Sequence, residues 1–470
     1  MEEEVTKKSG IIISLRERPK LKSWILLSLQ HVLAMFGATV LTPILINTLA
    51  GETVIGTDMA LFSSGIGTLI YILVTRAKVP IYLGSSFAYI SVIGSLYPIY
   101  GSSVFFGLLG VGLVYAIVSL CIFLFGTGWI KKVLPPVVVG PMIMVIGLSL
   151  AGVAVNSIGI TDIDNMDWTS LAIAVVTIIT AMLISLLFRG KMKLIPILGA
   201  LVVGTIIAMV VTTFHNTHFD TNTKQWNEMV NYGSINWGKS STYVGHPQFN
   251  HTPFSDMGGE KWSFMPFVLM MPIAFATIAE HIGDHTVLGR ITGKDYLGDE
   301  PGAHKTILGD GLATAFAGLI GAPANTSYGE NTTTVGLSKV SSVYVTGLAA
   351  IFAVGMSFIQ IIPTLLGLIP APVLGGLEVV LFGFITANGL KTLINERVDF
   401  GNSRNIFIVS VMLVIGLGGS IIGWTNGTLE IAFSGTSLAM IAGITANLFL
   451  PHDRGIDKEK IRKMIRQNKK

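Results

Sequence analysis

Apolar runs of about 18 to 25 residues follow one another along almost the whole chain, each long enough to cross the roughly 30 Å hydrocarbon layer of a bilayer as a helix. No other feature limits the fold as strongly. In hydrocarbon every backbone N–H and C=O needs an internal partner, which leaves helices and closed barrels. Composition agrees. Only 12% of the residues are charged, against about 25% in soluble domains, and mean hydropathy is +0.68. The opening Met1-Glu2-Glu3-Glu4 and the lack of a small-residue cleavage site argue against a cleavable signal peptide. Cys121 is the single cysteine, so no internal disulfide forms and the redox compartment stays open.

The runs and their punctuation predict spans near 24–50, 58–75, 80–98, 103–127, 133–156, 168–188 and 194–214. A polar stretch, 215–261, follows, and then spans near 263–289, 303–322, 323–339, 342–362, 369–391, 405–423 and 431–449. The expected fold is an all-α polytopic membrane protein of seven spans, a loop and seven more. Threaded with the N-terminus inside, this layout puts all of the 31 Lys and Arg except Lys224, Lys239 and Lys261 on the cytoplasmic side. The exceptions all fall in 215–261. Basic residues concentrate on cytoplasmic segments, so both termini are expected there and 215–261 outside, as a folded cap.

The halves resemble each other. Pro136-Val-Val-Val-Gly140 with Gly147 matches Pro372-Val-Leu-Gly-Gly376 with Gly383. Gln30-His31-Val32 matches Glu280-His281-Ile282, and Pro80-Ile-Tyr-Leu-Gly-Ser-Ser-Phe87 matches Pro323-Ala-Asn-Thr-Ser-Tyr-Gly-Glu330. The matches keep the same order. With an odd number of spans per half the repeat is inverted, a common transporter architecture.

Two matched spans, near 80–98 and 323–339, break the helical pattern. Each opens on proline, which cannot continue a helix and biases the preceding residue toward extended backbone. Glycines and hydroxyl residues follow before the apolar pattern resumes. Each is therefore read as a short extended piece plus a half-helix. Irregular backbone at membrane depth survives only buried in protein or lining a cavity, and half-helix starts aim N–H groups and a positive dipole end into that cavity. Phe87 and Glu330, each seven residues after its proline, then face a midplane binding site.

The eighth span adds Phe275-Ala-Thr-Ile-Ala-Glu280-His281-Ile-Gly-Asp284-His285. Glu280 and Asp284 share one helix face at spacing i, i+4, and ionisable groups at membrane depth mark functional sites. His281 and His285 have the same spacing, but no His-Glu-x-x-His order or further ligand cluster accompanies them, so no metal is expected. His31 beside Gln30 reads first as a hydrogen-bonded structural histidine and second as a proton carrier. Glu378, after two glycines, reads as a helix-start charge.

At these residues the chain resembles the nucleobase–ascorbate transporter family, also called nucleobase:cation symporters, and within it the bacterial uracil permease branch. The resemblance covers essentially residues 20–450 and rests on Gln30-His-Val-Leu-Ala-Met-Phe-Gly-Ala-Thr-Val-Leu-Thr-Pro43, Gly84-Ser-Ser-Phe-Ala88, Ala279-Glu-His-Ile-Gly283 and Ser327-Tyr-Gly-Glu-Asn331. It implies a core domain from 24–127 and 262–362 and a gate domain from 133–214 and 369–449, flanked by cytoplasmic segments 1–23 and 450–470. It also implies a homodimer through the gate. The family's substrate site carries over onto Phe87, Glu280, Gly329 and Glu330, with Tyr328 adjacent. Where the uracil branch tends to have histidine four residues after the eighth-span glutamate, this chain has Asp284, as in purine carriers; Glu330 matches the uracil branch.

A uracil-like ring is flat, neutral and edged with N–H donors and C=O acceptors. Carboxylates accept from such N–H groups in charge-assisted bonds, half-helix N–H groups donate to carbonyls, and Phe87 offers a stacking face. Two carboxylates in one dry pocket cannot both ionise readily. Glu330 lies at a helix start that favours the anion, which leaves Glu280 as the expected proton carrier, with Asp284 and His31 as further proton-coupling candidates. The expected function is import of a nucleobase, uracil first, by proton symport across the cell membrane. Purine transport and sodium coupling, which carboxylate and carbonyl oxygens also suit, are the alternatives. A channel would need a continuous polar lining, and no nucleophile–base pair suggests an enzyme. No cofactor and no nucleic-acid partner are expected; the partners are the base, the proton and membrane lipid.

Sidedness is open to test. A cysteine placed in 215–261 of a variant lacking Cys121 should react with an impermeant thiol reagent on intact cells, and one placed after Pro451 should not. Labelling of both would overturn the orientation.

Overall fold

A computed structural model describes residues 10–160, 166–188, 196–215, 218–220, 225–227, 239, 242–419, 422–425 and 430–451. Segments 1–9 and 452–470 and much of the polar stretch 215–261 lie outside the described residues.

The first half begins with helices α1 (Leu21–Ala50) and α2 (Thr57–Val74). Strand β1 (Leu83–Ser85), a 3-10 turn (Phe87–Tyr89) and α3 (Ile90–Tyr100) follow. A second 3-10 turn (Gly101–Phe105) leads into α4 (Phe106–Phe125) and the short α5 (Gly128–Val133). Then come α6 (Pro136–Ser149), α7 (Ala151–Ile158), α8 (Trp168–Leu187) and α9 (Pro196–His215). Strands β2 (His218–Asp220) and β3 (Gln225–Asn227) form a small hairpin.

The second half runs α10 (Met265–Met270), α11 (Ile273–Thr292), α12 (Ala303–Ile320), strand β4 (Asn325–Ser327), α13 (Gly329–Ser338) and α14 (Val343–Ser357). It continues with α15 (Ile361–Leu366), α16 (Ala371–Asn395) and α17 (Ser403–Leu417). Strands β5 (Ile422–Thr425) and β6 (Glu430–Phe433) and helix α18 (Gly435–Phe449) complete it. Among the described residues, eight helical stretches are long and apolar enough to cross a membrane, and three shorter apolar helices accompany them.

Both broken spans appear as expected: extended residues, then a short helix. The extended pieces meet. β1 pairs antiparallel with β4, with Leu83 opposite Ser327, Gly84 opposite Thr326 and Ser85 opposite Asn325. Ser86 N–H donates to Ala324 O at 2.7 Å and Tyr328 N–H to Tyr82 O at 3.0 Å, which extends the ladder at both ends. A two-strand sheet has two open edges, and here side chains bond into both. Ser64 Oγ donates to Leu83 O at 2.7 Å, and Leu83 N–H donates to Thr68 Oγ1 at 2.9 Å. Across the sheet Thr314 Oγ1 donates to Asn325 O at 2.8 Å. The hydroxyls come from α2 and α12, matched helices of the two halves.

The same correspondence runs through the packing. α2 lies against α14 as α12 lies against α4; α1 against α3 as α11 against α13; α8 against α16 as α17 against α6; α1 against α9 as α11 against α18. Together with the antiparallel strands, this gives the inverted repeat. The helices gather into two groups, one of α1–α4 with α10–α14 and one of α6–α9 with α16–α18. Glycine permits the closest crossings. A Cβ on Gly389 would lie 2.5 Å from Gly140 O, and one on Gly376 2.7 Å from Ala174 O.

The structure departs from the expected spans at several places. Within the eighth, expected from 263, Pro272 separates α10 from α11. The last two spans are shorter helices joined by the β5–β6 hairpin, and α17 stops at Gly418, ahead of Gly419 with φ +66°. Glu378 is no exposed helix-start charge: it lies inside α16, 1% exposed.

Gly84 sits in β1 with the Tyr328 ring against it, and an added Cβ would lie 2.4 Å from Tyr328 Cζ. Gly84→Ala should therefore destabilise the detergent-solubilised protein by roughly 1–3 kcal/mol, the usual range for overpacking. Thermal unfolding checks it, and an unchanged midpoint would contradict such tight contact.

Candidate functional site

The two half-helices begin where the strand pair ends, so β1 and β4 fix where their N-termini lie. Neither start carries a side-chain cap: Ser86 before the Phe87 turn and Tyr328 before α13 make no capping bond. The first N–H groups of a helix have no intrahelical acceptor, so these starts are suited to meet a ligand. Glu330 is the second residue of α13 and Phe87 the first of its turn.

Helix α11 contacts both half-helix starts. It carries two polar faces, built from interleaved i, i+4 pairs. Glu280 and Asp284 are part-exposed, as are Phe87 and Glu330, while Gly283 and Gly329 are open to solvent. Ser327 Oγ donates to Asp284 Oδ2 at 2.8 Å, and a Cβ on Gly329 would lie 3.6 Å from Asp284 Oδ1. Asp284, Asp310 and Glu330 all lie within electrostatic reach of Glu280. Toward the Arg290 end of α11, a cavity of about 500 Å³ runs along Ile282, Thr286 and Gly289.

The other face of α11 is closed. His281 and His285 are both buried, with ring centroids 3.8 Å apart. His281 Nδ1 lies 3.1 Å from Asp310 Oδ2, which also accepts from Tyr115 Oη at 3.4 Å. His285 Nδ1 bonds His281 O at 2.7 Å and its Nε2 lies 2.5 Å from Tyr71 Oη. Among the described residues, no group of three His, Cys, Asp or Glu is placed to hold a metal ion.

Sequence reasoning named seven residues, and the structure divides them. Phe87, Glu280, Asp284, Gly329 and Glu330 converge on part-open surface around α11. Tyr328 and His31 stand behind it, 3% and 2% exposed. Tyr328 Oη donates to Ser85 O at 2.8 Å, which ties it to β1 rather than to open space. His31 is hydrogen-bonded: Asn331 Nδ2 donates to its Nδ1 and to its carbonyl, both at 3.1 Å.

Asp310, Ser327 and Asn331 carried no site role in the sequence, although the last two bound the Ser327–Asn331 motif. Asp310 left a signal, since it is a lone acid between two glycines in an apolar run. Ser327 and Asn331 left none beyond lying next to Glu330, because a hydrogen-bond partner 43 or 300 residues away is a tertiary fact.

The sequence profile described as "Permease family" matches residues 22–423. The chain is 38% identical to the uracil permease of Bacillus caldolyticus, over 94% of this chain and 95% of that protein. It is 35% identical to the uracil permease of Escherichia coli K12, over 93% of each. Among solved structures it is similar to the transmembrane domain of the cyanobacterial bicarbonate transporter BicA, with TM-score 0.56 and 14% identity over 92% of this chain and all of that one. Murine Slc26a9, an anion transporter in the inward-facing state, aligns with TM-score 0.61 and 13% identity over 92% of this chain and 69% of its own. Those two likenesses are of fold alone. A profile matched across most of the length, curated relatives above one-third identity and the paired broken spans make this chain a member of the nucleobase–ascorbate transporter family.

Proposed function

We propose that the protein imports a nucleobase, uracil first, by proton symport with alternating access at the two half-helix starts. The observation that carries this reading is the pair of uncapped helix starts, Phe87 and Gly329–Glu330, with Glu280 and Asp284 on the helix between them. Carboxylates accept the ring N–H groups, the first-turn N–H groups donate to the ring carbonyls, and Phe87 stacks on the face. The relatives named uracil permease support uracil as the base. Asp284 supports the second reading, a purine-type base, since the family's uracil branch tends to have histidine there.

Glu280 carries the coupled proton. It lies mid-helix in α11, one turn before Asp284 on the same face, where a proton can be taken and released beside the bound base. Glu330, at the start of α13, binds the base. The group holding β1 and β4 moves as the core and the other serves as the gate. A homodimer forms through the gate, and both termini lie on the cytoplasmic side of the cell membrane. The chemistry is transfer without covalent change, so no enzyme activity is assigned.

Two measurements test this. Glu280→Gln keeps shape but cannot release a proton, so proteoliposomes should lose uptake driven by a pH gradient while retaining weakened base exchange. Glu330→Ala should remove binding itself, since a charge-assisted bond of about 1.5–3 kcal/mol corresponds to a tenfold to hundredfold loss of affinity. Gradient-driven accumulation by Glu280→Gln would move the proton to Asp284 or His31.

In the second, uracil should compete for labelled uracil uptake and xanthine should not, with Asp284→His leaving that order unchanged. Strong competition by xanthine or guanine would favour the purine reading.

A further inference from the structure

Each half-helix has a far end, and in both halves the chain segment preceding the opposite half's first long helix grips it. The segment before α1 runs alongside the turn that follows α13. Ile12 N–H donates to Lys339 O at 2.8 Å, Ser341 N–H to Ile13 O at 3.0 Å and Val343 N–H to Leu15 O at 3.0 Å. Ser342 Oγ adds a bond to Glu17 O at 2.7 Å. Ile13 and Val340 form a parallel bridge, and Leu15 is buried beneath it.

The segment before α11 does the same for the turn that follows α3. Ser102 N–H donates to Asp256 Oδ2 at 3.0 Å, Asp256 N–H to Ser102 Oγ at 3.2 Å and Ser263 N–H to Ser103 Oγ at 3.2 Å. The N–H and hydroxyl of Ser102 hold the Asp256 carboxyl below its usual range, as expected of a carboxylate that accepts hydrogen bonds. Because β1 and β4 run antiparallel, the two gripped ends lie on opposite sides of the bundle.

The site ends are tied as well, by the helices these segments lead into. In α1, His31 accepts from Asn331 of α13; in α11, Thr277 Oγ1 lies 3.1 Å from Tyr89 Oη, in the turn before α3. Both half-helices are thus held at each end, one by residues 12–31 and the other by residues 256–277.

We infer that these segments are paired clamps, repeated by the inverted symmetry, that position the half-helix starts against each other across the β1–β4 ladder. Ser342 and Asp256 are positioning residues: they touch no base and act through the half-helix they restrain. A short half-helix has too few internal hydrogen bonds to be rigid alone. Clamping both ends turns it into a fixed mount, so the core group moves as one piece. The function of that mount rests on the transport reading above; the clamps themselves do not.

Hydrogen–deuterium exchange on the purified full-length protein separates the two. Ser342→Ala or Ile12→Pro should speed exchange in 329–338 on the order of tenfold, the loss of roughly one hydrogen bond, and leave 90–100 unchanged. Asp256→Ala should do the reverse. Ser342→Thr, which keeps the hydroxyl, should restore protection. In transport, each loosened clamp should raise KM for uracil several-fold with maximal rate nearly kept. Unchanged exchange in both half-helices would overturn the clamps. A fall in maximal rate at constant KM would overturn their positioning role. Intact clamps in a protein that transports no uracil would instead overturn the transport reading.

Discussion

Everything at the centre of this protein depends on three residue pairs of antiparallel backbone, Leu83–Ser85 against Asn325–Ser327. Extended chain inside a helical membrane bundle has polar groups that no helix satisfies, and hydrocarbon supplies no water to replace them. Each broken span therefore needs the other. Hydroxyls meet the outer groups of Leu83 and the carbonyl of Asn325: Ser64 and Thr68 on one side and Thr314 on the other. Asn325 adds three donor contacts from its amide, to Ser63 O, Ser63 Oγ and Ala313 O. Were Thr68 or Thr314 apolar, Leu83 N–H or Asn325 O would lose its hydroxyl partner, a loss of about 1–3 kcal/mol for a buried unpaired group.

From that ladder the site follows. The two strands lead into two uncapped helix starts, and both lie against α11. α11 can then serve both with a single face. Its 3.6-residue period separates Glu280 and Asp284 from His281 and His285 by about 100°, so one pair faces part-open space and the other is sealed against Asp310 and Tyr71. Adjacent residues in the sequence thus acquire opposite surroundings.

The inverted repeat extends beyond helix order. It recurs in the hydroxyls that bond into the sheet edges, in the contacts of each helix, and in the two segments that grip the far ends of the half-helices. The residues differ between copies. Ile12, Ile13, Leu15 and Glu17 grip one turn through backbone and Asp256 grips the other through a carboxylate. What is repeated is the place where restraint is needed.

The sequence by itself determined the medium, the helices and the breaks. Long apolar runs can only be satisfied as helices in hydrocarbon, and Pro80 and Pro323 followed by small residues can only interrupt them. Local covalent constraints act within a few residues, so they can be read without the fold. Phe87, Glu280, Asp284 and Glu330 were legible for the same reason: an aromatic or an acid beside a break, or an acid in an apolar helix, stands out locally. Tertiary structure decided what each group faces. Tyr328 sits beside Glu330 in the chain, yet its ring packs under Gly84 and its hydroxyl bonds Ser85. Glu378 read as a helix-start charge and is buried within α16. Ser327 and Asn331, the partners of Asp284 and His31, both come from the second broken span, and Asn331 reaches His31 in the opposite half. Such pairings depend on how the two halves dock, which is set by packing and backbone satisfaction across hundreds of residues, and no local stretch of sequence records it.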